Sequence, residues 1–153
     1  MQSLEIEGLN KLSEDLNDIL KELPEKRRDL HERIADVLKA EVDTQITQSG
    51  LNDSHGRIRQ WQESVVGSGG GYAAVRPVKG ITGANSPGAI TNYLENGHRI
   101  RQPSGKNPNY RPRIKKPYVD GFHFYKSARN TVESKAIAVA EDFVQEIKQK
   151  LEG

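Results

Sequence analysis

Apolar residues in the first third of the chain recur at steps of three and four, the spacing of one face of an α-helix. The first set predicts a helix from about Leu4 to Leu23, and it comprises Leu9, Leu12, Leu16, Ile19, Leu20 and Leu23. Pro24 is predicted to end this helix, because proline lacks a backbone N–H and clashes with the preceding turn. A second set continues to a stop at Ser49 and Gly50, and it comprises Leu30, Ile34, Val37, Leu38, Val42 and Ile46. The two helices either fold back as a hairpin or continue as one kinked rod.

The period changes after Leu51, where two short β-prone runs flank a glycine-rich block. The runs are "LNDSHGRIRQWQESVV" and "YAAVRPV", and the block "GSGGG" between them predicts the turn of an antiparallel hairpin. The glycine block does not match a phosphate-binding loop, because no Gly-Lys-Ser/Thr follows it. We therefore expect a flexible hairpin tip near Gly69. Candidates for the packed face of the hairpin are Trp61, Val65, Tyr72 and Val75.

The stretch "SPGAITNYLENG" that follows the hairpin begins and ends with residues that are typical of helix termini. Ser86 suits the N-cap, Pro87 suits the first helical position and Gly97 suits the C-terminal stop. These signals predict a short helix of about ten residues. Its apolar side comprises Ile90, Tyr93 and Leu94.

The C-terminal stretch returns to helical rhythm and predicts one long amphipathic helix. Asp120 lies near the predicted start, where a negative charge interacts favourably with the helix dipole. The residues on the predicted apolar face are Tyr125, Ala128, Val132, Val139, Phe143, Ile147 and Leu151.

These elements together predict an α+β fold. A small antiparallel sheet and a short helix are expected to pack against the long C-terminal helix, after an N-terminal helical pair. The 153 residues suit a single domain, with a helical region at residues 1–50 and an α+β core at residues 51–153 that carries a basic loop at about 97–117. The residues expected in the core between sheet and helix are Tyr93, Leu94, Phe122, Tyr125 and Phe143.

Charge and composition limit the partners, cofactors and reactions that we expect for this chain. A formal net charge of +2 is too small to indicate a nucleic-acid partner by itself, so any electrostatic function is expected to be local. No apolar run approaches the length of a membrane span, and the N-terminus has no secretory pattern. The chain has no cysteine, and its four histidines lie far apart, at His31, His55, His98 and His123. We therefore expect no metal, no cofactor and no catalytic residues, and hence no enzymatic activity.

An acid-free basic segment lies between the short helix and the last helix. Residues 96–119 contain seven Lys or Arg and no Asp or Glu, and three of the four prolines in this range, Pro103, Pro108 and Pro112, lie among these cations. Such a segment is expected to project as a long loop or arm. It would dock on an acidic protein surface, bind nucleic-acid phosphates with Tyr110 or Tyr118 stacked on bases, or remain a solvated loop. The cations that we assign to a docking arm are Arg99, Arg101, Arg111, Arg113, Lys115 and Lys116.

The order of several short motifs resembles that of the tail-completion, or head-tail joining, proteins of long-tailed phages and defective prophages. The resemblance covers about residues 51 to 151 and rests on "GRIRQWQESV", a glycine turn, "YAAVRP", "ITNYLENGH" and "KPYVDGFHFYKSARN". The matching positions are Gly56, Arg57 and Ile58, then Tyr93, Leu94, Glu95 and Gly97, and finally Pro117, Tyr118 and Phe122.

This resemblance implies a non-enzymatic structural protein of the virion, assembled in the bacterial host cytoplasm. Its expected place is the neck, where it would sit as a homo-oligomeric ring between connector or adaptor rings and the tail tube or its terminator. The arm would then contact neighbouring neck proteins or the DNA that passes through the lumen. The alternative is a small nucleic-acid-binding protein that uses the basic arm.

Overall fold

The computed structural model describes residues 7–100 and 116–152, with side chains described from residue 11 onward. The elements follow in the order α1 (Glu7–Gln48), α2 (Arg57–Gln60), β1 (Gln62–Val66), β2 (Ala73–Pro77), α3 (Pro87–Asn96), β3 (His98–Arg99), β4 (Tyr118–Val119) and α4 (Phe124–Glu152). β1 pairs with β2 and β3 pairs with β4, so two small antiparallel sheets accompany two long helices. The predicted α+β class is confirmed.

α1 is one continuous helix with Pro24 inside it, so the prediction that Pro24 ends the first helix is wrong. Ion pairs to α4 lie on both sides of the proline: Glu22 accepts a hydrogen bond from Lys150 at 2.5 Å, and Arg33 donates to Glu146 at 2.7 Å. The helix thus continues through the proline, whose ring removes one backbone hydrogen bond, and it contacts α4 on both sides of that position. Of the two arrangements that the sequence leaves open, the continuous rod is observed.

Burial along α1 differs between its two halves. Val42 and Ile46 are buried, and the other apolar residues of the second set are at least half-buried. In the first half Ile19 is buried, whereas the leucines around it are exposed, with Leu20 at 63%. The predicted stripe is therefore a real helix face, and four leucines in its N-terminal half are exposed in the described part of the chain.

The hairpin that follows begins later than its sequence pattern indicates. One turn of helix, α2, occupies Arg57–Gln60, and β1 begins at Gln62. Trp61 lies between them, half-buried, and its carbonyl accepts a hydrogen bond from Val78 N–H at 2.8 Å. Val65 and Val75 are half-buried as predicted.

Tyr72 is 56% exposed, so its assignment to the packed face of the hairpin is wrong. The residue belongs to the turn, where Gly67 N–H donates to Tyr72 C=O at 3.0 Å. The ring lies over Gly67, close enough that a Cβ there would come within 2.5 Å of it. A side chain that folds back over its own turn cannot also face the sheet interior.

The chain divides into two compact units, and α1, α4 and the hairpin each contribute to both. Unit 1 comprises Met1–Lys39, Ser64–Val75 and Thr131–Gly153, and unit 2 comprises Ala40–Glu63 and Arg76–Asn130. In unit 1 the hairpin tip lies against α1, since a Cβ on Gly70 would be 3.2 Å from the Cα of Arg28. Phe143 is half-buried in this unit. The predicted single domain stays a prediction.

Candidate docking site at the ribbon base

Asp53 fixes the turn of helix that carries the Gly-Arg-Ile motif in unit 2. Its carboxylate accepts hydrogen bonds from the backbone N–H groups of Ile58 at 2.9 Å and Arg59 at 3.1 Å, and from the Arg59 guanidinium at 3.1 Å. Gly56 precedes α2 with a φ of 65°, and the Arg57 side chain points into solvent. Burial alone would raise the pKa of Asp53, but these donors together lower the pKa below its usual value.

We expect Asp53→Asn to lower the free energy of unfolding by about 1 kcal/mol at neutral pH. The folded pKa is depressed, so the carboxylate stabilises the protein above the unfolded pKa of 3.8, and this stabilisation is lost as pH falls through the folded pKa. Urea unfolding of both proteins between about pH 7 and pH 3 measures the difference. It should shrink below about pH 4, and a difference that does not change with pH would contradict the assignment.

α3 has the predicted caps but not the predicted buried face. Ser86 Oγ accepts a hydrogen bond from Ala89 N–H at 3.2 Å, Pro87 occupies the first turn and Gly97 follows the last residue. The buried residues are Pro87, Thr91 and Glu95, at steps of four. Two of these three residues are polar, so a search for apolar residues at helical spacing does not find this buried face.

Tyr93 is 43% exposed, so its assignment to the core is wrong. It lies two residues from both Thr91 and Glu95, which places it about 200° around the helix from each of them. Its ring instead contacts His98, with ring centroids 5.3 Å apart. Leu94 is half-buried, as predicted.

A buried amide connects β1, α3 and α4 in unit 2. Gln62 is 2% exposed, and its Nε2 donates to Ile58 C=O at 3.0 Å and to Thr91 Oγ1 at 3.2 Å. Its Oε1 accepts the hydroxyl of Tyr125. Burial, followed by the negative charge of Glu95, raises the pKa of Tyr125, so the phenol remains a donor. Tyr125 thus joins the core through its hydroxyl as well as its ring.

Glu95 caps the start of α4. Its two carboxylate oxygens accept hydrogen bonds from Tyr125 N–H at 2.9 Å and Lys126 N–H at 3.1 Å, two of the first amides of the helix. In return, carbonyls at the end of α3 accept from the chain that enters α4: Leu94 from Phe122 at 2.7 Å, and Glu95 from His123 at 3.2 Å. Each helix terminus therefore satisfies backbone groups of the other.

Asp120 is exposed, and the carboxylate that caps α4 comes from α3 instead. The largest fully buried side chain next to this cap is Phe124, with no exposed surface, while Phe122 is half-buried. The predicted apolar face of α4 is otherwise confirmed, since each of its seven residues is buried or half-buried.

The end of α3 meets the segment that enters α4 at a junction formed by residues 94–97 and 118–126. Two glycines allow the backbones of this junction to touch. A Cβ on Gly97 would lie 2.3 Å from Val119 C=O, and a Cβ on Gly121 would lie 2.1 Å from Glu95 C=O. Gly97 also has a φ of 75°, which side-chain-bearing residues rarely adopt. Tyr118 adds a hydrogen bond from its hydroxyl to Asn96 C=O at 2.7 Å. The Glu-x-Gly and Asp-Gly-Phe sequences are thus two sides of one close contact.

A two-stranded ribbon leaves this junction and forms the base of the basic segment. His98 pairs with Val119 and Arg99 pairs with Tyr118, and Ile100 N–H donates to Pro117 C=O at 3.0 Å. Every residue of β3 and β4 is exposed, as is Lys116. Of the six cations assigned to the docking arm, Arg99 and Lys116 lie on this ribbon. The other four lie outside the described residues: Arg101, Arg111, Arg113 and Lys115.

The structure thus brings together Leu94, Glu95, Gly97, Tyr118, Phe122 and Tyr125, with two of the arm cations at the edge of the same junction. Sequence reasoning missed Gln62, Thr91, Gly121 and Phe124. The four-residue spacing of Pro87, Thr91 and Glu95 was a signal for the buried face of α3. The prediction did not use this spacing, because it defined the buried face by the apolar residues Ile90, Tyr93 and Leu94.

Within residues 7–100 and 116–152, no cluster of three or more His, Asp or Glu could hold a metal ion. In the same residues, no helix is both long and apolar enough to cross a membrane. No protein-family model, no curated protein and no solved structure matches this chain.

Proposed function

We propose that this chain is a structural protein of a phage or prophage virion neck, where it joins head-side connector rings to the tail. The proposal starts from the order of its short motifs. It is supported by the way that two of these motifs meet: Glu95 and Gly97 contact the segment from Tyr118 to Tyr125, although more than twenty residues separate them in sequence. Such a contact needs both motifs in the same chain, which suits motifs that occur as a set.

The junction also suits a docking role. A basic segment can meet a partner in a defined place only if its two ends are fixed, and here both ends are hydrogen-bonded to each other and to the end of α3. Below the ribbon, the mutual capping of α3 and α4 holds this base rigid. The proposed partners are acidic surfaces of adjoining neck and tail proteins, in a homo-oligomeric ring within the virion.

The first experiment is to produce particles without this chain and to examine them by electron microscopy. The proposal predicts filled heads and separate tails that do not join. Complete, tailed particles assembled in the absence of the chain would overturn it.

Neutralising the arm should separate docking from folding. We expect the variant Arg111→Gln, Arg113→Gln, Lys115→Gln and Lys116→Gln to lose most tail joining, because four positive charges no longer face the acidic partner. Its thermal unfolding midpoint should stay within about 2 °C of the parent, because the proposal assigns these four charges to docking and not to the fold. Joining is measured as the yield of infectious particles.

A matched control removes the same amount of charge from the described part of the chain, through Lys79→Gln, Lys126→Gln, Arg129→Gln and Lys148→Gln. All four side chains are exposed. The control should join tails normally. Equal loss in both variants would indicate a general charge effect and would contradict a role for the arm.

A second candidate function is nucleic-acid binding, and the ribbon provides the observation that favours it. Tyr118 is 46% exposed and pairs in register with Arg99, so an aromatic residue and a cation lie opposite each other on neighbouring strands. Bases stack on such rings while cations contact phosphates. This alternative predicts gel retardation at low salt with log affinity falling by about 0.7–0.9 per phosphate contact for each tenfold rise in salt. Absence of retardation at low salt would eliminate it.

A further inference from the structure

Unit 1 exposes an apolar stripe near the start of α1. The leucine stripe, as we call it, comprises Leu12, Leu16, Leu20 and Leu23, each more than two-fifths exposed. Lys150 pairs with Glu22, and α4 ends two residues later at Glu152. Because the two helices run antiparallel, the turns of α1 that precede Ile19 extend beyond the end of α4. An isolated helical stretch of this length is only marginally stable in water, so a partner that covers it would stabilise it.

A second exposed apolar stripe lies on α4. The α4 stripe comprises Ile137, Ala140 and Val144, which line a shallow depression together with Glu141 and Gln145. Ile137 and Val144 are more than half exposed. The leucine stripe and these two residues make up six of the twelve large apolar residues that are exposed in the described parts of the chain. Half of the exposed apolar side chains therefore belong to one pair of helices.

The two stripes lie on the same side of this helix pair. α1 meets α4 along Ile19, Glu22 and Lys26, and the leucine stripe lies about a quarter-turn clockwise from that line when viewed from the helix N-terminus. On α4 the covered line runs through Phe143 and Ile147, and the α4 stripe lies about a quarter-turn further in the same sense. Each stripe is therefore rotated in the same sense from the line where its helix meets the other. Because the two helices run antiparallel, equal rotations of this kind place both stripes on the same side of the pair.

The stripes are also displaced along the helix axes. The leucine stripe lies around and beyond the C-terminal end of α4, whereas the α4 stripe begins about half a turn before Glu146, which pairs with Arg33, and extends back to about two and a half turns before it. A two-fold rotation exchanges two such positions. A second copy turned by this rotation therefore sets its leucine stripe on the α4 stripe of the first, and the reverse contact forms at the same time.

We propose that two copies of this chain associate through this face, with the leucine stripe of each copy packed on the α4 stripe of the other. The occupant is a second copy because the face is complementary to itself: a projecting leucine-bearing helix and a shallow depression with the small residue Ala140 at its centre. Twelve large apolar side chains are covered in the pair, in a packing of four helices. The inference goes beyond the proposed neck function and does not depend on it, since it concerns the free chain in solution.

Sedimentation of the purified full-length chain tests the association. The wild-type protein should form a dimer at micromolar concentration, and Leu16→Gln with Leu20→Gln should raise the dissociation constant at least about tenfold. Both leucines are exposed, so the circular dichroism of the variant should match that of the parent. The control is Ile81→Gln, which changes another exposed apolar residue, 61% exposed, outside the face and should leave the dimer intact.

Disulfide cross-linking tests the arrangement, because the chain has no cysteine of its own. Leu16→Cys is made in a tagged chain and Val144→Cys in an untagged chain, and the two are mixed and oxidised. The proposal predicts a cross-link between the two different chains in preference to either chain with itself. A monomeric wild-type protein, a dimer unaffected by the leucine changes, or cross-linking of like with like would each overturn it. Loss of tail joining in particles that lack the chain can still be observed in all three cases, so the two proposals fail separately.

Discussion

Replacing Gly121 with alanine is expected to lower the free energy of unfolding by about 3 kcal/mol. The new Cβ would lie 2.1 Å from Glu95 C=O and 2.7 Å from the carbonyl carbon of Asn96, and both of these are backbone atoms. A backbone cannot move aside as a side chain does, so α3 and the segment entering α4 must separate. Urea unfolding measures the loss. The amide proton of Phe122, which is hydrogen-bonded to Leu94 C=O, should exchange with solvent faster in the variant.

Gly88→Ala is the matched control, because Gly88 lies inside α3 and a Cβ there would contact nothing within 4 Å. Alanine favours helix over glycine, so this change should be neutral or should stabilise by up to about 1 kcal/mol. If Gly121→Ala were as stable as Gly88→Ala, the close backbone contact would be wrong.

Glu95→Ala is expected to lower the free energy of unfolding by about 3 kcal/mol. The change removes two charge-assisted hydrogen bonds and leaves the N–H groups of Tyr125 and Lys126 without this acceptor at a partly buried helix terminus. It also removes a negative charge from the positive end of the α4 dipole. Chemical denaturation gives the total loss, and amide exchange at Tyr125 and Lys126 locates it.

Glu95→Gln separates these contributions, because glutamine keeps one acceptor oxygen and the shape of the side chain but not the charge. We expect about half the loss of Glu95→Ala. Glu133→Ala is the control for removal of a helix carboxylate that caps nothing in the described structure, since Glu133 is an exposed residue of α4, and it should change stability by less than about 0.5 kcal/mol. Equal stability of Glu95→Ala and the parent would refute the cap.

The junction explains why the mutual positions of α3 and α4 were harder to predict than the helices themselves. Ser86, Pro87 and Gly97 act on backbone groups within a few residues of themselves, so the bounds of α3 follow from local chemistry. Glu95 acts on amides thirty residues away, and no local pattern links it to Tyr125. Asp120, which is near in sequence, was the predicted charge at the start of α4, but it is exposed.

The errors on Pro24 and Tyr93 have the same origin. Proline disfavours a helix interior by its own geometry, yet α4 holds α1 on both sides of Pro24. Tyr93 is apolar enough for a core, yet the face of α3 that turns inward is the one with Thr91 and Glu95, because Gln62 and the start of α4 supply partners for those polar groups.

The sequence alone determined the identity of the long helices, the capped α3, the glycine turn of the hairpin and the apolar face of α4, because these depend on periodicity and on backbone preferences of neighbouring residues. The tertiary structure decided the rest: that α1 runs through its proline, that Glu95 caps a distant helix, that Gly97 and Gly121 meet, and that the leucine stripe is exposed. Each of these depends on which distant surface lies opposite a residue, and hydrophobic spacing along a chain records which side of an element is apolar without recording what covers it.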